Sequence, residues 1–209
     1  RDTQLAMGQP ATRSDFYHLY LNGQYWGLAE TQERAEADFA ASHFGGGPSD
    51  YDVVKVNWGT FTLYATDGDL TAWTELYDLI RAGVATEEAY QRLLGSNPDG
   101  SRNPSYPVYL DADNLIDFML LSIYGANLDS PISTFSGRPN NWYAIRPRDG
   151  RAGFRFFVHD AEFTMLDVNA DRSLPPRMPA ITRCSTAAPN GCGTGSSPMP
   201  ASAYGPATA

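Results

Sequence analysis

The run Leu115 to Tyr124, LIDFMLLSIY, constrains this chain more than any other stretch. With Asp113 as N-cap and Gly125 as the stop, it reads as a helix that is apolar nearly all round, and such a helix belongs in the middle of a packed domain. It is too short to cross a bilayer, which takes about 20 apolar residues, and it carries Asp117. No other stretch is long enough, so this chain offers no transmembrane segment. The helix empties into the polar loop Gly125-Ala126-Asn127-Leu128-Asp129, and a loop on a rigid scaffold is where chemistry tends to be placed.

The 209 residues, 42% of them hydrophobic, can bury one sizeable core, so one domain over residues 1–172 and a tail are expected. A net charge of −9 and the lack of any Lys/Arg cluster argue against nucleic acid or an anionic membrane as partner. Lys55 is the only lysine. Ser173 to Ala209, rich in Pro, Gly, Ser and Ala, has the composition of a disordered tail. Cys184 and Cys192 both fall there and cannot staple the core. The start, Arg1-Asp2-Thr3-Gln4, has neither an initiator Met nor an apolar leader, which suggests an internal piece of a longer protein.

Along the chain, Phe16–Leu21 and Gln24–Leu28 flank Asn22-Gly23, a strong signal for a two-residue hairpin turn, with Gly27 marking a bulge. His18, without a metal-spaced partner, reads as structural. Thr31 to Phe44 reads as a helix capped by Thr31, with Glu33 in its first turn, where a glutamate complements the helix dipole or faces a nucleotide pocket. Tyr51 to Trp58 reads as a strand. Lys55 within it could hold phosphates, although a lone strand lysine is more often a solvated edge residue. Helices follow at Thr71–Ala82 and Thr86–Leu94, and Asn97–Pro107 is an extended loop. Asp111 and Asp113 are spaced as in a calcium loop, but Leu115 and Ile116 stand where an oxygen ligand and Gly are needed. Asn141–Ile145 and Phe154–Val158 read as strands joined around Asp149-Gly150.

Chemistry concentrates between Gly125 and Glu162. Asp129 and Asp160 lie at the ends of elements, with Asn140 and Asn141 between them. Carboxylates and amides gathered this way suit a Mg²⁺-dependent phosphoryl-transfer site, which needs oxygen ligands and one carboxylate to orient a hydroxyl. By spacing alone, two Asp and two Asn near turns also suit caps and turn formers.

Four blocks, LYLNGQYWGLAETQER, LDADNLIDFMLLSIYGANLD, PNNWYAIR and FRFFVHDAE, together resemble the CotH kinase family, named for a spore-coat protein, over roughly Leu5 to Asp171. The resemblance implies an α+β, atypical protein-kinase-like fold that uses ATP with Mg²⁺, or Mn²⁺ in its place. It implies a Ser/Thr acceptor in a coat, envelope or secreted protein, and an extracytoplasmic location. Asp129 would be the catalytic aspartate, and Asn127 would hold its loop. Asp160 would be the principal metal ligand with Asn141 or Asn140 as a second, and Glu162 stands where many members have another aspartate. Glu33 would be the pocket glutamate; Lys55, read from its strand rather than from the resemblance, is the other cofactor-binding candidate, since the family's own basic residue on the phosphates comes from strands further upstream. The family's upstream strands and its helices after Asp171 have no counterpart here, so the expected fold is incomplete at the N-terminal lobe and at the C-terminus. A non-catalytic, kinase-like binding module of a surface or coat assembly is the alternative. A carbohydrate-associated domain, suggested by Tyr25, Trp26, Trp58, Trp73 and Trp142, is a third reading.

Overall fold

The computed structural model describes residues 1–57, 59–60, 62–131 and 138–169, and within them the protein is α+β. The proposed tail, both cysteines and Trp58 lie outside the described residues. After a short helix α1 (Asp2–Ala6) the chain forms β1 (Ser14–Leu21) and β2 (Gln24–Gln32), then α2 (Ala37–Phe44). The strands β3 (Tyr51–Val56) and β4 (Leu63–Asp67) precede the helices α3 (Thr71–Ala82), α4 (Glu87–Leu93) and α5 (Ala112–Tyr124). The strands β5 (Trp142–Pro147) and β6 (Arg155–Val158) complete the described fold.

β3 to β6 form one antiparallel sheet in the order β4-β3-β5-β6, and β1 and β2 form a separate hairpin. Alternation along the strands splits the apolar side chains between two faces. Val54, Trp142, Ala144 and Phe156 pack with Leu76 of α3, Leu93 of α4 and Phe118 of α5. Tyr51, Val53, Tyr143, Ile145 and Phe157 pack with Ala37, Phe39 and Ala40 of α2. Covered on both faces, β5 reads as almost continuously buried.

The outer edge of β6 is closed by side chains. Gln4 Nε2 donates to the Phe156 carbonyl at 2.9 Å, while the Phe156 N–H donates to Asn114 Oδ1 at 2.6 Å. Both amides are buried, and together they satisfy an edge that would otherwise offer itself to another strand.

Several expectations change. β2 runs on to Gln32 because the ladder with β1 continues to Ser14↔Gln32, so Thr31 is a strand residue and α2 starts only after Glu36. Ladder hydrogen bonds there outweigh the local helix signal. Lys55 is not an edge residue, since its strand lies between β4 and β5. Asp111 rather than Asp113 caps α5, accepting from the Asn114 N–H at 3.1 Å. Nor is α5 buried all round: Ile116, Leu120 and Tyr124, one turn apart, are exposed, while Asn114, Phe118 and Ser122 face inward. β4 was not anticipated. Asn22, at φ 50°, and Gly23, at φ 80°, make the expected turn, and the ladder slips at Leu19/Tyr20 opposite Gly27, the expected bulge.

Candidate functional site

Three chain segments meet at one end of the four-stranded sheet: the end of β3, the start of β5 and the end of β6. Lys55 pairs with Tyr143 and Trp142 with Val158 at this end. The loop after α5 joins them. It lies against the loop after β6 through two backbone bonds, Leu128 N–H to the Phe163 carbonyl at 3.0 Å and Met165 N–H to the Gly125 carbonyl at 2.8 Å.

These bonds place the Asp129 and Asp160 loops side by side, and the two asparagines fasten them. Asn140 Nδ2 donates to Asp129 Oδ2 at 2.9 Å, and Asn141 Nδ2 donates to the same oxygen at 3.0 Å. Asn141 Nδ2 also reaches the Asp160 carbonyl at 3.1 Å. Buried Asn127 turns the loop by accepting the Asp129 N–H on its Oδ1 at 3.0 Å, a local Asx bond. Asn141 sits at φ 53° and Asp160 at φ 47°, in the left-handed region that residues other than glycine seldom occupy.

A cavity of about 270 Å³ opens here, lined by Lys55, Asn57, Asn140, Asn141, His159 and Asp160 among others. Lys55 Nζ donates to Tyr143 Oη at 2.8 Å, and among the described residues it makes no salt bridge. Burial, and then the positive charge of Lys55, hold the His159 imidazole below its ordinary range. Burial, followed by a hydrogen bond with Asp160 and the negative charges of Asp160 and Asp129, pushes the Glu162 carboxyl upward. Glu162 thus belongs to the same carboxylate neighbourhood. A larger cleft of about 440 Å³ lies at the opposite end of the sheet between Phe44, Ile145, Arg151 and Arg155, and no carboxylate or amide side chain lines it. The chemistry therefore favours the smaller cavity.

Of the residues singled out from sequence, Asp129, Asn127, Asn140, Asn141, Asp160, Glu162 and Lys55 gather at this sheet end. Glu33 does not line the cavity. It takes a hydrogen bond from the Arg13 N–H at 2.8 Å and pairs with His43 Nε2 at 3.0 Å. Burial works against its ionisation, but these bonds outweigh that and hold its carboxyl below the usual range. His18 is exposed and bonds only its hairpin neighbour, Tyr25 Oη at 3.2 Å. Tyr143 and His159 escaped notice in the sequence. Pairing Lys55 with its cross-strand neighbour was the signal that could have found Tyr143.

A sequence model of the CotH kinase protein family matches residues 4–191. The chain belongs to the CotH kinase family. No curated protein and no solved structure matches it. Within this CotH domain, the donor set suits a hard cation and a phosphate chain. Carboxylate and amide oxygens are ligands of the kind Mg²⁺ takes, and Lys55 is a cation with donors to offer a phosphate. Burial first, and the charges of Asp160 and Asp129 after it, raise Glu162, and a cation beside these groups would favour their ionised forms.

Proposed function

We propose that this chain carries the phosphoryl-transfer site of an atypical protein kinase, which moves the γ-phosphate of ATP to a Ser or Thr hydroxyl of a spore-coat, envelope or secreted protein. The observation that carries the proposal is the Asn141 clasp, one amide nitrogen touching both the Asp129 carboxylate and the Asp160 loop beside the Lys55 cavity. Family membership supports the kinase class and an extracytoplasmic setting.

Mg-ATP, when bound, supplies the phosphoryl group and the charge that neutralises the phosphates. The chain's part is positioning. Asp129 Oδ2 is taken up by two asparagine amides, which leaves Oδ1 to accept the acceptor hydroxyl's proton as its oxygen bonds phosphorus and the bridge to the β-phosphate breaks. Asp160, Glu162 and the Asn141 Oδ1 are the oxygen ligands available to the cation, and Lys55 is the donor for a phosphate oxygen. The test is Mg-ATP binding by calorimetry and phosphate transfer to coat or envelope extracts by the full chain. Asp129→Asn should keep binding and lose transfer by about 10³-fold or more, and Asp160→Asn should lose Mg²⁺-dependent binding. Unchanged transfer in either folded variant removes that residue's role.

The second reading is a non-catalytic binding module, since a kinase-like fold does not by itself fix an activity. Among the described residues, no group of three or more His, Cys, Asp or Glu side chains is arranged to hold a metal ion. Nucleotide binding with no transfer to any acceptor fraction would select it.

A further inference from the structure

Lys55, the only lysine in the chain, is held by a residue to which the phosphate chemistry assigns no part. Lys55 and Tyr143 are direct partners in the β3–β5 ladder, and Nζ donates to the phenol oxygen at 2.8 Å while lying 4.4 Å from the ring centroid. An ammonium only donates, so the phenol oxygen accepts and its own proton must go elsewhere. Burial, and then the negative charge of Glu36 at the N-cap of α2, push the phenol above its ordinary range, so it keeps its proton beside the ammonium.

The phenol has little freedom. Tyr143 is 1% exposed, packed in the core beneath α2, and the His159 ring stands edge-on to it at 5.0 Å. A lysine on four rotatable bonds meets a ligand well only when something rigid fixes where its ammonium points.

We propose that Tyr143 is a positioning residue, whose hydroxyl on a buried ring holds the Lys55 ammonium beside the cavity in readiness for a phosphate oxygen. Its value to catalysis rests on the nucleotide reading above, whereas the tether itself does not. Tyr143→Phe is the discriminating change, because it keeps the ring, the contact with His159 and the face beneath Lys55, and removes only the oxygen.

With a single lysine, ¹⁵N-lysine labelling of the full chain gives one side-chain ammonium signal. Its protons should exchange slowly with water in the parent and faster by about fivefold or more in Tyr143→Phe. KM for Mg-ATP should rise about fivefold to tenfold in Tyr143→Phe while kcat stays within about twofold. In a Lys55→Met background the same change should have no further effect on KM. An unchanged ammonium signal in a folded Tyr143→Phe protein overturns the proposal, as does an equal rise in KM without Lys55, which would mean a packing effect. A parent that binds no nucleotide, yet frees its ammonium in Tyr143→Phe, upholds the tether and sinks the nucleotide reading instead.

Discussion

Replacing Asn141 tests whether the two loops of the site are fastened as described. Asn141→Ala removes two hydrogen bonds, to Asp129 Oδ2 at 3.0 Å and to the Asp160 carbonyl at 3.1 Å. Each is worth about 0.5–1.5 kcal/mol net, and a half-exposed site takes the lower part of that range. Alanine also inherits φ 53°, a left-handed geometry that costs it about 1 kcal/mol and that asparagine tolerates better. The sum is a loss of about 2–3 kcal/mol, or about 4–12 °C in melting temperature for a domain of this size. Asn141→Gly loses the same bonds without the backbone penalty, so it should cost about 1–2 kcal/mol. Thermal and urea denaturation of both variants measure the difference. Equal melting of Ala and Gly variants would refute the left-handed backbone, and two variants as stable as the parent would refute the clasp.

Other outcomes follow from the same coordinates. Phe157, fully buried and edge-on to Phe39 at 5.5 Å, should lose about 3–5 kcal/mol on Phe157→Ala, read by urea denaturation. Gly153→Ala should cost about 3 kcal/mol or more, because its Cβ would run into the backbone of Leu110 and Asp111, which cannot give way; soluble yield and melting temperature report it. The Glu162 carboxyl is raised in the folded state, so its favourable contribution is complete below the ordinary carboxylate pKa and is lost as pH rises through the folded value. Glu162→Gln should therefore raise the melting temperature at pH 7.5 and leave it unchanged near pH 4, and an equal shift at both pH values would refute the carboxylate crowding. Mg²⁺ added to the parent should stabilise it at pH 7.5, with the gain fading over the same fall in pH.

What the sequence disclosed was local. Asn22-Gly23 and Asp149-Gly150 announce their turns because the backbone they need is written in the turn residues themselves, and Gly150 sits at φ 71°. Thr86 announces α4 by accepting the Ala89 N–H at 3.2 Å. Errors came where a distant partner decides. Thr31 and Gln32 carry helix-start chemistry yet are held in the ladder by Asp15 and Ser14. β4, half-buried and only five residues long, lacks clean alternation, and its existence depends on β3. The α5 pattern revealed apolarity but not which stripe would be covered. At the site, residue types were legible and contacts were not: Asp129 and Asp160 are 31 positions apart, and only the pairing of their loops brings them together. Buried Gln4 and Asn114, which secure β6, gave no sign at all, since an amide in sequence looks like surface.

The distribution of backbone strain gives an independent reason to place function at this sheet end. Among the described residues, five other than glycine adopt positive φ: Asn22, Ala126, Asn141, Asp160 and Met165. Asn22 serves the hairpin turn. Ala126 and Met165 lie in the two loops that pair after α5 and β6, and Asn141 and Asp160 are the residues joined by the clasp. Such conformations cost of order 1–3 kcal/mol each and persist only where surrounding contacts impose them. Neither Ala126 nor Met165 has a side chain that favours the left-handed region, so the requirement comes from the loops' shape. Burial in that shape, together with the nearby charges of Asp160 and Asp129, makes Glu162 resist ionisation. Strained backbone beside carboxylates of like charge costs stability, and under the proposed function a bound cation would offset that cost.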